Sequence, residues 1–199
     1  MTYIDFHTHH TPDRQDVLAV VDGRDSWGIH PWRADEEFAV PDLSATFAIG
    51  ECGLDALRGP SMAVQEEVFL QQIRLSEQVR KPLIIHCVKA LDRLLQMHRE
   101  QRPTMSWMFH GFRGKPQQLH SLLDSGFFVS FGHSCNDESL RLCPLDRLLL
   151  ETDDRTCSIV ELYNSVAEKR GLEVTALCKA MAENYRTFFQ KEPLEKVKR

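Results

Sequence analysis

Near the start of the chain the stretch YIDFHTHH, residues 3 to 10, places Asp5, His7, His9 and His10 within six positions. Successive side chains of a strand point to opposite faces, so an extended Tyr3 to His9 sets Asp5, His7 and His9 on one side and Ile4, Phe6 and Thr8 on the other. Two imidazoles two residues apart on a strand can converge on one cation, which makes His-x-His half of a metal site. By itself the pair carries little weight, since 9 histidines in 199 residues yield about 0.4 such pairs by chance. Four further groups supply context: Glu51 closes the run FAIGE, His86 closes LIIH, His110 closes SWMFH and Asp153 follows LLLET. A lone histidine at the end of an apolar strand is more often a hydrogen-bonded structural group than a ligand. Six ligand-type side chains from five strand ends are a different matter, because burying that many ionisable groups without a shared partner is costly for each.

The elements that must position these groups are legible as apolar runs. Strands are predicted at Tyr3 to His9, Val17 to Val21, Trp27 to His30, Phe47 to Cys52, Leu83 to Val88, Ser106 to His110, Phe127 to Phe131 and Leu148 to Thr152. Several are almost wholly apolar, as suits parallel strands covered on both faces, and the segments between the later ones read as helices. Met62 to Arg80 has apolar positions 64, 68, 69, 73, 75 and 79 behind an acidic start at Glu66 and Glu67. Pro116 and Gly126 bracket a helix containing Leu119, Leu122 and Leu123. Ser158 and Glu161 form a capping box for a helix that Gly171 closes. Thr175 opens a last one that buries Leu177, Cys178, Met181, Tyr185 and Phe188.

No linker, repeat or low-complexity segment interrupts this order, so residues 1–199 are expected to form one domain. Strand-helix alternation predicts a parallel α/β fold. Polar groups at the strands' C-terminal ends favour a TIM-like (β/α) barrel, which gathers those ends on one face, over an open sheet, which spreads them along a line. Strand parity puts Ile49, Glu51 and Gly53 inward, with Ile84, His86 and Val88, and Ser106, Met108 and His110; Cys52, Cys87 and Phe109 then face the helices. Only 21 positions separate His9 from His30, too few for two strand-helix-strand units of about 30 residues each. The barrel is therefore expected to be trimmed in its first strand-helix units.

A net charge of −5 excludes a protein that grips nucleic acid through a broad basic surface, while leaving room for a local cationic device. The terminal KVKR reads as a solvated tail. No apolar run approaches membrane-spanning length and no secretory signal is visible, which predicts a cytoplasmic protein without membrane partners. The six cysteines, at 52, 87, 135, 143, 157 and 178, show no C-x-x-C pairing and are expected to be free thiols in a reducing compartment. No obligate protein partner is evident.

Taken in order, DFHTHH, GIHP at 28 to 31, AIGECGLD at 48 to 55, PLIIHC at 82 to 87, FHGFRG at 109 to 114 and LLLETDD at 148 to 154 resemble the motifs of the TatD family of metal-dependent hydrolases. AENYRTFF extends the resemblance nearly end to end, with Asn184 where that family has an asparagine. The resemblance implies a (β/α) barrel with a two-metal site and, as the group's best-known activity, deoxyribonuclease function. It makes His7, His9, Glu51 and Asp153 the shell of one metal and Glu51, His86 and His110 that of the other, with Glu51 bridging. Paired cations about 3.5 to 4 Å apart acidify and orient a water and neutralise both reacting oxygens of a phosphodiester. Asp153 is the expected general base or proton shuttle. Two divalent ions also give an acidic protein a positive local centre for DNA. The imidazoles suit zinc, iron or manganese, whereas the nuclease resemblance suggests magnesium. Hydrolysis of a small ester or amide, or a non-catalytic metal-binding scaffold, are the alternatives.

Other residues have supporting readings. Asp5 is expected to orient a ligand from one layer deeper, and His30, Asp55 and His133 are candidates for substrate contact or support. Trp27 and Trp32 flank GIHP; an aromatic there can stack on an unpaired base, but packing is the expected role. Two positions depart from the family pattern: Val88 stands where an arginine is common and Arg155 where proline often is. The first weakens the expectation of a phosphate contact; Arg155 either restores one from another loop or is simply solvated.

Overall fold

Short apolar strands and intervening helices organise the chain, in a computed structural model, into two parallel sheets with helices packed outside them. The structure describes residues 1–191 and 193; the KVKR segment lies outside the described residues. Strands β1 (Tyr3–Thr8) and β2 (Val17–Val21) form one sheet. The other contains β3 (Ser26–Trp27), β4 (Ala48–Asp55), β5 (Leu83–Val88), β6 (Trp107–Phe109), β7 (Phe128–Phe131) and β8 (Leu148–Leu150), each paired with the next in chain order. The helices are α1 (Met62–Val79), α2 (Leu91–Gln101), α3 (Pro116–Asp124), α4 (Asp137–Leu142), α5 (Ile159–Arg170) and α6 (Val174–Phe189), with a single 3₁₀ turn at Pro31–Arg33. The connections before β4 contain no α-helix.

Isolated bridges relate the two sheets. Thr8 pairs with Asp153 beyond the end of β8, where His9 N donates to Asp153 O (3.0 Å) and Asp153 N donates to His7 O (3.0 Å). On the other side Asp22 pairs with Ser26. Near the start of β1, which pairs with β2, the backbone groups of Ile4 are served by a side chain: the buried Tyr163 hydroxyl of α5 accepts from Ile4 N (3.0 Å) and donates to Ile4 O (2.9 Å). Helix α6 covers the same region, with Phe189 stacked on Phe6 at 6.1 Å between centroids. Asn184 of α6 donates to Leu145 O and Leu148 O, both at 2.7 Å, and so pins the start of β8.

The predicted strands are present with shifted ends, and simple alternation fails on β4. Ile49 pairs with Leu83 and Cys52 with Ile85, so β4 carries one more residue than β5 between those pairs. This bulge puts Ile49 and Gly53 on opposite faces, correcting the expectation that both share the face of Glu51. Glycine permits the irregularity: a Cβ on Gly50 (φ +146°) would lie 2.5 Å from Ile84 O, and one on Gly53 (φ +131°) 2.1 Å from His86 O. The bulge between them carries Glu51 close against β5.

Buried polar side chains of α1 hold the loops at this end. Gln72 accepts from Ile29 N (2.6 Å) and donates to Ile29 O (3.0 Å), fixing the GIHP segment. Gln65 accepts from Asp55 N (2.7 Å) and donates to Asp55 O (3.0 Å). Ser158 caps α5 by accepting from Glu161 N (3.4 Å), and Gly171 (φ +63°) ends that helix as expected. Among the described residues no helix is long and apolar enough to cross a membrane, and all six cysteines are free.

Candidate metal centre

The C-terminal ends of the strands converge on Glu51, a carboxylate only 7% exposed. Its two oxygens divide five imidazoles between them. Oε2 lies 3.3 Å from His7 Nε2 and 3.5 Å from His9 Nε2; Oε1 lies 2.8 Å from His110 Nε2, 3.0 Å from His86 Nδ1 and 3.3 Å from His30 Nε2. Asp153 Oδ1 approaches the first pair, at 3.7 Å from His7 and 3.6 Å from His9. Asp153 adopts φ +58°, a left-handed conformation that costs a non-glycine residue roughly 1–3 kcal/mol and collects at functional sites.

Three donor groups are compact enough to hold an ion: His7, His9, Glu51 and Asp153; His30, Glu51 and His86; and His110, Glu151 and Asp153. The chemistry of the first group fits a divalent cation. His7 is fully buried and neither ring nitrogen has a hydrogen-bond partner among the described residues, although Nε2 faces two carboxylates. A buried polar atom left this way costs about 1–3 kcal/mol, and a cation between the imidazoles and carboxylates satisfies it.

Electrostatics point the same way. Burial pushes Glu51 up, but His110 and the hydrogen-bonding imidazoles overcome it and hold the carboxyl well below its usual range. Burial likewise raises Asp153, yet the His9 bond and the neighbouring His110 and His7 hold it at about 2. Hydrogen bonds to Asp153 and Glu51 raise His9 to about 10. Burial lowers His7 and His110, but the surrounding carboxylates win and raise both. The clustered carboxylates thus favour the protonated form of the imidazoles around them. Cations compete for the same lone pairs, with release of those protons.

Supporting residues complete the arrangement. Asp55 Oδ2 lies 3.1 Å from His86 Nε2 and accepts from Trp32 Nε1 (2.7 Å), while its Oδ1 accepts from Leu57 N and Arg58 N. Asp5 accepts from Thr152 N (3.0 Å) and Thr152 Oγ1 (2.6 Å), tying β1 to the segment that presents Asp153; burial raises its carboxyl to about 7 despite those bonds. His30 also accepts from Trp32 N through Nδ1 (3.2 Å), so it turns the GIHP corner as well as facing Glu51.

Two of the supporting candidates lie elsewhere. His133 faces Ser158 O (3.3 Å) and Arg155 lines a shallow depression with Asp154, Thr156 and Cys157; neither lines the main cleft. The depression adjoins that cleft, since Asp154 lines both. Trp27 packs on the core beside Phe38 as expected (6.4 Å), but Trp32 is 43% exposed on the cleft wall.

Glu151 and Asp22 were not singled out by motif reasoning. Glu151 is buried, 3.2 Å from His110 Nδ1, and accepts from Ser130 Oγ (2.5 Å). Its spacing two before Asp153 in ETD was the available signal. Asp22, at the end of VLAVVD, stands 3.9 Å from His9 Nδ1 and accepts from Ser26 Oγ. The cluster opens into a cleft of about 1630 Å³ that runs past the ends of β5 and β6 to the start of α3.

A parallel α/β scaffold with imidazoles and carboxylates gathered at strand ends defines a metal-dependent hydrolase. The sequence profile of TatD related DNase matches residues 21–190, and the chain belongs to that family. It is 29% identical to the "Uncharacterized metal-dependent hydrolase YcfH" of Escherichia coli K12, the match covering 82% of this chain and 72% of the relative. It is 30% identical to the "3'-5' ssDNA/RNA exonuclease TatD" of Pantoea ananatis, covering 81% and 76% respectively. The crystal structure of YJJV, a TatD homologue from Escherichia coli K12, superposes with a TM-score of 0.75 at 21% identity over 90% of this chain and 79% of that one, a likeness of fold.

Proposed function

We propose that this chain hydrolyses phosphodiester bonds of nucleic acid, at the ends of unpaired strands, with two divalent cations. The observation that carries the reading is Glu51, whose two oxygens face His7 and His9 on one side and His30, His86 and His110 on the other, the geometry of a bridging carboxylate. In this reading His7, His9, Glu51 and Asp153 hold one cation. Glu51 with His86 holds the other, completed by His110 or His30. Imidazole-rich donors suit zinc or manganese, and magnesium serves when supplied in excess.

Bound cations here supply Lewis acidity, acidifying a water and offsetting charge on the reacting phosphate. Asp153, ionised at neutral pH and lining the cleft, receives the proton of the attacking water. Glu51 keeps the imidazoles aligned, and Asp55 fixes the ring of His86 from its far side. The cleft exceeds the roughly 300–1,000 Å³ of a small-molecule site, which supports a polymer over a small ester. The relative named as a single-strand DNA and RNA exonuclease supports unpaired strands as the class of substrate.

The same reading makes the chain one domain, a TIM-like barrel trimmed in its first strand-helix units. The bridges Thr8 to Asp153 and Asp22 to Ser26, and the helix-free connections before β4, support it. Six free thiols favour a reducing, cytoplasmic setting. The test is elemental analysis of purified protein, paired with digestion of labelled single- and double-stranded DNA before and after chelation. Bound metal with chelator-sensitive hydrolysis, faster on single strands, is expected; absence of both metal and hydrolysis overturns the reading.

A further inference from the structure

The cleft carries imidazoles and carboxylates at the metal cluster and basic side chains elsewhere in its lining. Beyond His86 and His110 its wall includes Lys89, Arg93, Arg113 and Lys115. Arg93 is paired with Glu66 (2.7 Å), and Arg33 on the opposite rim with Glu36 (2.7 Å). Lys89, Arg113 and Lys115 are exposed and form no salt bridge among the described residues; outside the metal cluster the acids of the cleft lining without one are Asp92 and Asp154. An excess of unpaired cations in one cleft runs against the chain's net charge of −5.

The loop that presents two of them is anchored. Phe112 is buried between Phe109 and Phe131, with ring centroids 5.6 Å from each. Gly114 O accepts from Ser139 Oγ (2.9 Å), and Lys115 N donates to Gln118 Oε1 (3.1 Å). Lys89 stands directly after Val88 at the end of β5, in a left-handed conformation (φ +54°). Cations on fixed backbone, leading away from a site that cleaves phosphodiesters, bind a polyanion with less ordering cost than mobile surface lysines.

We infer that Lys89, Arg113 and Lys115 form a track for the backbone phosphates of the strand next to the bond being cleaved. The inference rests on the phosphodiesterase reading above and specifies which wall of the cleft the strand follows.

The test measures binding of fluorescein-labelled decathymidylate by anisotropy, in chelator, so that no cation contributes. The K89Q/R113Q/K115Q variant is expected to bind about tenfold more weakly at low salt. Its log Kd should depend on log[NaCl] with a slope lower by about 2, since each phosphate contact on a single strand contributes about 0.7. An R99Q/R141Q/K179Q variant makes the same charge change at exposed positions outside the cleft and is expected to bind like the parent. With metal, KM of the cleft variant should rise more on a decamer than on a dinucleotide.

Equal binding by parent and cleft variant, or equal loss in both triple variants, overturns the track. If the parent cleaves bis(p-nitrophenyl) phosphate while the cleft variant binds strands normally, the track fails and the hydrolase reading stands. If strand binding depends on the three cations but no phosphodiester is cleaved, the track stands and the hydrolase reading fails.

Discussion

Replacing Glu51 by glutamine removes one charge and almost no volume, which isolates the carboxylate's electrostatic role. The residue belongs to two of the three compact donor groups and touches five imidazoles, so one substitution weakens both proposed cation positions. Changes that merely reorient a metal ligand typically cost 10–100-fold in affinity, and loss of a shared ligand is expected to cost about 100-fold or more. At a metal concentration of 100 times Kd the parent gains about 2.7 kcal/mol from binding. At the same concentration a variant weakened 100-fold gains only about 0.4 kcal/mol. For a chain of 199 residues each kcal/mol moves Tm by about 2–4 °C. Manganese or zinc should therefore raise the parent's Tm by about 5–11 °C and that of E51Q by about 1 °C, in thermal denaturation monitored by circular dichroism. Titration calorimetry on the same samples should show proton release on binding to the parent, because cations displace protons from the raised imidazoles of His7, His9 and His110. An E51Q protein with the parent's metal-induced shift and proton release would refute the assignment of Glu51 as the shared ligand.

Three further outcomes follow from other parts of the molecule. D153N should lower kcat on bis(p-nitrophenyl) phosphate by about 100- to 10,000-fold through loss of a group that is both proton acceptor and cation ligand; a decrease below threefold in steady-state assays speaks against both roles. Y163F strips the hydroxyl that serves both Ile4 N and Ile4 O, and should cost about 1–3 kcal/mol in urea unfolding, with no change in the fold seen by circular dichroism. Glu77 accepts from Thr104 N, Thr104 Oγ1 and Met105 N; burial raises its carboxyl but these bonds outweigh it and lower it below 4.5. Its contribution is present above that value and lost as pH falls through the depressed one, so E77Q should flatten the acid limb of stability as pH falls below 4.5.

The types and order of the groups at the centre were legible in the chain because strand ends leave a simple signature, a ligand-type residue closing an apolar run. His7, His9, Glu51, His86, His110 and Asp153 could be chosen this way, and the motifs of the last four fall within residues 21–190, which the family profile matches. The strand-helix alternation and the absence of room for helices between His9 and His30 were readable for the same reason: both are properties of local pattern and spacing. What lay beyond pattern was distance between segments. The bulge on β4 reversed a parity that alternation alone cannot check, because it depends on pairing with β5. Glu151 looked like part of a strand end until His110 and Ser130 were found against its two oxygens. His133 and Arg155 had the right type and chain position, yet His133 faces Ser158 O and Arg155 lines the depression beside the cleft, neighbours that the sequence alone does not give. Which Trp is packed and which is exposed, and which lysines and arginines lack an acid partner, are facts about neighbours remote in sequence. A chain specifies its chemistry residue by residue, but a shared cation or a charged wall exists only where tertiary packing sets several of those residues within a few ångströms.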